Sequence, residues 1–289
     1  MNPPVSTTSI LYAVARRMGL VPDENLSPDQ GAEILLAMDD RLREGWEMFD
    51  FIENTVTEER AFRNDYDAGL CYNAGDSVWD PVSRAYYTAI QTGVGGPLTN
   101  PSLWTAAPSV SPAYVEWFQV GKIPIGTPFE TYSANPFDDL TSKKIQFVLS
   151  PRGLEFVPNQ VGTTIWLYYR VPYPGLGQEV WSATLTYNAG DQVLGSDGHT
   201  YISQIDGNTG TDPTIAVPQG TQPAWIKFPV PYIFSRFVVT AAFSDTLITN
   251  GQNEKAQVEQ AKAYAYLNSE FDKQRLQVGQ VERFSVNVR

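Results

Sequence analysis

Apolar residues recur with a helical period at both ends of the chain and with a strand-and-turn rhythm between. Ile10, Leu11, Val14, Ala15 and Met18 form a stripe that predicts a first helix, capped by Thr7 or Thr8 and ended by Gly19. Ser27-Pro28-Asp29-Gln30 is a start signal for a second helix: a Ser cap, Pro at the first helical position, and Gln three residues after the cap. Ile34, Leu35, Met38, Leu42 and Trp46 then line one face, and the helix ends near Met48, before an extended stretch Ile52–Arg63. At the far end, Pro229-Val230-Pro231 leads into Ile233, Phe234, Phe237, Val238, Ala241 and Ala242, and Asn250-Gly251 stops that helix. Val258, Ala261, Tyr264, Ala265, Leu267 and Phe271 follow in a long last helix with Glu, Lys, Gln and Asp outside. From Gln277 to Arg289 the period is lost, and an extended tail is expected. Neither helix pair can bury its apolar face alone, so the two are expected to pack together.

The middle of the chain reads as β structure. Lys144–Leu149, Leu154–Val157 and Thr163–Tyr169 carry strand signals, the last rich in Thr, Ile, Trp and Tyr. Around them a text is repeated. Tyr72-Asn73-Ala74-Gly75-Asp76 returns as Tyr187-Asn188-Ala189-Gly190-Asp191, an offset of 115 residues. The offset also maps Tyr66 to Trp181, Val78 to Val193, Tyr86 to Tyr201 and Gly95 to Gly210, and each copy closes on a tryptophan, Trp104 or Trp225. A small β module therefore occurs twice. The expected organisation is α+β: a helical bundle from the N- and C-terminal helices, a central β domain, and two small all-β inserted modules. The segments are 1–64 (helices), 65–112 (first module), 113–178 (central β domain), 179–228 (second module), 229–276 (helix pair) and 277–289 (tail).

Composition narrows the function classes. At 42% hydrophobic residues, the 289-residue chain can build real cores. A net charge of −12 argues against a surface that grips phosphate backbones. It does not exclude a protein past which DNA slides without sticking, since an acidic wall repels phosphate over about 8 Å at physiological salt. With one cysteine, Cys71, and one histidine, His199, no disulfide within the chain and no Cys/His zinc site can be assembled. Met1-Asn2-Pro3-Pro4 lacks the charged and apolar regions of a signal peptide, and no run of about 20 apolar residues predicts a membrane span. A soluble protein made in a reducing cytoplasm is expected.

Chemistry-bearing motifs are few. No P-loop and no Gly-x-Ser-x-Gly elbow occurs. His199 sits in a predicted hairpin tip, Asp197-Gly198-His199. The pairs Asp39-Asp40, Glu58-Glu59 and Asp138-Asp139 read as solvated surface or helix ends, and Asp76 and Asp191 as turn anchors. The expectation is a protein without catalytic residues, metal or cofactor.

Two resemblances carry the functional expectation. In the modules, an aromatic residue, then Tyr-x-x-Gly-Asp-x-Val, a further Tyr, a polar loop and a closing Trp resemble the small chitin- and cellulose-binding modules appended to bacterial chitinases. The likeness covers about 45 residues per copy and implies exposed aromatic rings that stack on sugar faces. Tyr66, Trp181, Tyr201 and Trp225 are the candidate contacts to glycan or protein, with Trp181 the best exposed platform. Tyr187, Val193, Tyr201 and Trp225 also suit the core of so small a fold. In copy one, Tyr66 replaces the leading Trp and Gly93 stands at the Asn208 position.

The host segments resemble phage head–tail connector proteins, of the tail tubular protein A and head-completion type. The likeness rests on Gly126-Thr127-Pro128-Phe129 with Ser133-Ala134-Asn135-Pro136 as a loop-rich linker, and on Phe147–Leu154 leading to Val161–Arg170 and Pro172-x-Pro174. Ala242-Phe243-Ser244-Asp245 and Asn250-Gly251-Gln252 before the last helix complete it. It implies a virion structural protein in the neck, made in the host cytoplasm. The subunit would form a ring of about twelve copies, docked on the portal protein, joined below to a tail protein, with genomic DNA passing through without sequence-specific binding. The portal-docking tail would use Val281, Phe284, Val286 and Val288. The other reading is a polysaccharide-binding protein with two modules; a tail-fibre or baseplate component would show long repetitive β text, which this chain lacks.

Overall fold

A computed structural model describes residues 4–21, 26–107, 113–117, 119, 122–138, 141–156, 163–177, 179–188, 190–205, 207–215 and 223–285, without the side chains of 94 and 277–285. The class is mixed α+β, with four helices and several small antiparallel sheets among the described residues. The chain divides into two compact units, Met1–Glu53 with Tyr173–Arg289, and Asn54–Pro172.

The first unit holds α1 (Thr7–Arg17), α2 (Pro28–Met48), α3 (Tyr232–Thr249) and α4 (Asn253–Ser285). The cap of α1 is Ser6, one position before the expected threonines: its Oγ accepts from the amide of Ser9, while Thr7 is buried in the first turn. The start of α2 forms the full capping box between Ser27 and Gln30. Helix α3 touches each of the other three. That explains its composition, since Phe234, Phe237, Val238, Ala241, Ala242 and Leu247 are all buried and little polar face is left. Gly45 of α2 lets the helices approach: a Cβ there would lie 2.8 Å from the Phe237 ring. Trp46 stacks on Phe234 with ring centroids 5.6 Å apart, and Phe49 stacks on Phe271 of α4 at 4.4 Å. Arg41 forks onto Asp245 at 2.8 and 2.5 Å and binds Glu44, so the helices are also joined by a charged cluster.

Two expectations change here. The last helix continues to Ser285, so Gln277–Ser285 is helical and not an extended tail. A helix already nucleated by its packed first half propagates through Gln, Glu and Arg without needing an apolar stripe. Val281 and Phe284 lie on this helical stretch, whereas Val286 and Val288 fall outside the described residues. Asp39, read as solvated, is buried and accepts from the Tyr173 hydroxyl at 2.7 Å and the Leu176 amide at 2.6 Å.

The second unit begins with β1 (Thr55–Ala61), continues through the first module with β2 (Cys71–Tyr72), β3 (Ser77–Asp80), β4 (Ala85–Ala89), β5 (Gly93–Val94) and β6 (Trp104–Ala107), and ends with β7 (Tyr114–Glu116), β8 (Thr127–Tyr132), β9 (Phe147–Leu149), β10 (Gly153–Phe156) and β11 (Thr164–Arg170). Its host part has two antiparallel sheets, ordered β1-β11-β8 and β7-β10-β9. Strand β11 alternates as its sequence predicts, with Ile165, Leu167 and Tyr169 inward. β1 pairs with β11 along its whole length, from Thr55 opposite Arg170 to Ala61 opposite Thr164. The stretch after Glu53 therefore belongs to this unit and not, as the 1–64 segment implied, to the helices. The Gly126–Phe129 stretch, expected as a linker, enters β8; Pro128 is accommodated because β8 is an edge strand with a register shift opposite Tyr168 and Tyr169. Arg60, wholly buried, is held by Glu58 at 2.8 Å and by the Tyr169 hydroxyl at 2.9 Å.

The second module lies in the helical unit: β12 (Thr186–Tyr187), β13 (Gln192–Leu194), β14 (Thr200–Ser203), β15 (Asn208–Thr209) and β16 (Trp225–Phe228).

Candidate functional site: the duplicated modules

The repeat in the text is a repeat in structure. Each copy has a two-stranded ribbon (β2-β5, β12-β15) and a three-stranded sheet (β3-β4-β6, β13-β14-β16). Each also has one parallel bridge, Asp65 to Trp79 or Val180 to Leu194. The shared pentad is a turn. Gly75 and Gly190 sit at φ +95° and +94°, where a side chain would be strained. The carboxylates of Asp76 and Asp191 each accept from the amide three residues earlier, Asn73 or Asn188, at 2.7 Å. This is the turn-anchoring role expected of them.

The aromatic residues form the modules' own cores. The Tyr72 hydroxyl accepts from the Asp67 amide, and the Tyr187 hydroxyl from the Ser182 amide, both at 2.9 Å. Trp104 Nε1 donates to the Gly96 carbonyl and Trp225 Nε1 to the Thr211 carbonyl. Ring pairs meet edge to face, Tyr72 with Trp104 at 5.1 Å and Tyr187 with Trp225 at 5.2 Å. Tyr201 and Trp225 are each only 6% exposed, so the structure removes both as contacts for an outside partner. Tyr66 and Trp181 are half-buried against the same clusters. Tyr66 binds the Gly96 carbonyl, whereas Trp181, which cannot place a hydroxyl there, has a buried Nε1 with no hydrogen-bond partner. Trp181 is therefore not the open platform expected of it.

One equivalence is corrected. Val78 stands opposite Tyr87 and Val193 opposite Tyr201, so the counterpart of Tyr201 is Tyr87, not Tyr86. The first module's hairpin is one residue longer, which slips the offset by one along β4. Tyr86 instead matches Thr200, and these two residues fasten the modules to their hosts. The Tyr86 hydroxyl accepts from the Phe62 amide at 2.8 Å and donates to the Thr163 carbonyl. Burial pushes its pKa up to about 12. Thr200 meets the Thr7 hydroxyl of α1 and accepts from the Gly177 amide, both at 3.2 Å.

Polar chemistry gathers at the second module's hairpin. Asp197 accepts from the Tyr201 hydroxyl at 2.8 Å and Lys227 at 2.9 Å, next to His199, whose pKa is lowered by burial and then by Lys227. Asp197 is consumed by structural bonds, as is the Gly198 carbonyl, which takes the Thr8 amide. Among the described residues, no group of His, Cys, Asp and Glu could hold a metal ion, and no helix is long and apolar enough to cross a membrane. In the helical unit an open groove of about 990 Å³ runs between α1, α2 and the α3–α4 turn, lined in part by Leu36 and Val258.

One further matched pair of apolar residues lies on the surface of the modules. Leu70 and Leu185 are each 48% exposed, and their amides bond the equivalent carbonyls of Asp67 and Ser182. The offset of 115 pairs these two, but only the structure places them outside; Ile90, 49% exposed, stands where the second module has Gln204, since their amides bond the carbonyls of Leu103 and Ala224, each just before the closing Trp. Searches against protein-family models, curated proteins and solved structures find no match for this chain.

Proposed function

We propose that this chain is a virion structural protein, the ring-forming subunit of a phage head–tail adaptor that docks under the portal, continues the DNA channel and joins the tail. The observation that carries the reading is the host-and-insert organisation. The N-terminal and C-terminal helices pack as one unit although more than 180 residues separate Met48 from Tyr232, and the intervening chain forms β structure carrying two like modules. Such a scaffold presents repeated surface and long helices, which suits assembly. The net charge of −12 suits a wall that DNA passes. The C-terminal end of α4 and the residues after it would meet the portal, with Val281 and Phe284 delivered on a helix.

The polysaccharide reading is the weaker one, because the rings that would stack on sugar are used in the modules' own cores. The adaptor reading is tested by native mass spectrometry of the chain mixed with the phage portal protein, beside a variant ending at Leu276. The full chain is expected to form a ring on the portal, and the shortened chain to stay folded and fail to dock. A full chain indifferent to the portal would refute the reading.

A further inference from the structure

The groove of the helical unit is bordered by two helices that break their own pattern. Buried Ile34 and Leu247 and half-buried Phe243 give it an apolar base. Leu36 of α2 and Val258 of α4 line it as well, 52% and 54% exposed, at positions where an amphipathic helix carries polar side chains. Its charges lean acidic, with Glu33, Asp245, Glu254 and Glu259 against Arg17 and Lys255. Asp245 is taken by Arg41, and Glu259 by Lys262 and Arg17. Glu33 and Glu254 are exposed and make no ion pair with a described residue. A segment that is both apolar and basic complements this groove.

The chain itself carries such a segment. Gln274 accepts from the Ile52 amide and donates to Glu53, and the next two residues, Arg275 and Leu276, are exposed. From there to Arg289 the sequence holds Arg275, Arg283 and Arg289 against Glu282, a net charge of +2 in a chain of −12. Leu276, Val278, Val281 and Phe284 recur every two or three residues along it. This segment cannot reach the groove of its own chain. Val258 and Ser285 lie on one helix, about 40 Å apart, and the four residues after Ser285 span at most about 14 Å. Groove and segment are complementary, yet an intact α4 keeps them from meeting within one molecule.

We propose that the groove takes residues 275–289 of a second copy of the chain, laid along it as a helix in a groove. The apolar residues of the segment cover Leu36 and Val258, and its arginines neutralise Glu33 and Glu254. Each copy offers one groove and one segment at opposite ends of α4, so the contact is head-to-tail and repeats without a third component. The basic segment also gives two acidic proteins a place to approach. This inference goes beyond the adaptor reading, which sends the same segment to the portal. Groove and portal exclude one another, so the groove holds the segment in chains that have not docked.

The test is fluorescence anisotropy with the full chain and a labelled synthetic peptide of residues 275–289. The wild-type chain is expected to bind it saturably in the micromolar range, and more weakly as salt rises. Leu36→Asp with Val258→Asp is expected to weaken binding about tenfold or more, and Glu33→Gln with Glu254→Gln about threefold. All four side chains are exposed, and circular dichroism checks that the variants keep their helices. A second peptide, with a benzophenone at the Phe284 position, needs no variant: on the wild-type chain it should crosslink to residues that line the groove. Sedimentation velocity of the full chain should show association that rises with concentration and that excess peptide abolishes. No saturable binding below about 100 μM, crosslinks outside the groove, a Leu36/Val258 variant that binds like wild type, or a chain that stays monomeric where the peptide binds would each overturn the proposal. Portal docking is scored separately. A ring on the portal with no peptide capture would sink this contact alone, and peptide capture with no portal docking would sink the adaptor reading alone.

Discussion

Removing one oxygen from Tyr86 tests whether the first module is fastened to its host through that hydroxyl. In Tyr86→Phe the ring stays packed against Trp79, at 4.8 Å between centroids, and no cavity of consequence forms. The Phe62 amide, buried and bonded at 2.8 Å, loses its acceptor, and the Thr163 carbonyl loses a donor. An orphaned buried donor costs about 1–3 kcal/mol and the second bond about 0.5–1.5 kcal/mol, so the loss is about 2–4 kcal/mol. For a unit of this size, that is a fall in Tm of roughly 10 °C. The two units need not unfold together, so the assay is urea-dependent hydrogen exchange read at Phe62 and along β1 and β4. The effect also has a pH signature. Tyr86 titrates at about 12 in the folded unit against 10.0 for the free group. The folded pKa is raised, so this stabilisation is complete below pH 10 and is lost as pH climbs through about 12. The gap between wild type and variant should therefore narrow across that window. A variant within about 0.5 kcal/mol of wild type at neutral pH would refute the reasoning.

Other positions make sharper or simpler tests. Asp39→Ala strands the Tyr173 hydroxyl and the Leu176 amide, and calorimetry should record a loss of about 2–5 kcal/mol confined to the helical unit. Gly190→Ala forces a side chain onto φ +94°, so the second module should lose about 1–2 kcal/mol by urea titration, whereas Gly207→Ala, in an exposed loop, also with positive φ, should cost a similar amount without loosening the Asp191 turn in exchange. Trp225→Ala should cost about 3–5 kcal/mol, and half-buried Trp181→Ala clearly less; equal losses would contradict the assigned burial.

The helices were legible because their signals are local. The Ser27–Gln30 box, the Trp46 stripe and the Asn250-Gly251 stop each act within a few residues, and each appears where its text stands. Strand β11 was legible because one face is buried, which imposes strict alternation. β8 was not: Pro128 reads as loop, and only the distant partner β11 makes the stretch a strand. The burial of Asp39 was hidden for the same reason, since Tyr173 and Leu176 are over 130 residues away. In the modules the pattern of shared residues was plain, but inside and outside were not. The same Tyr, Trp and Leu letters serve a core or a contact, and the one-residue slip in the first hairpin cannot be seen until strands are paired.

The position of the β unit within the chain has a consequence for synthesis. Thr55 and Arg170 are paired neighbours, and the Val171 amide bonds the Asn54 carbonyl, so this unit's ends meet and it can close as soon as Pro172 has emerged. The helical unit has no such freedom. Trp46 and Leu42 wait for α3, whose first residue, Tyr232, arrives more than 180 residues after Met48. At 5–20 residues per second, the apolar faces of α1 and α2 stay uncovered for roughly 10–40 s. Chaperone demand during translation should therefore fall on the first fifty residues, while the middle of the chain matures ahead of both its flanks.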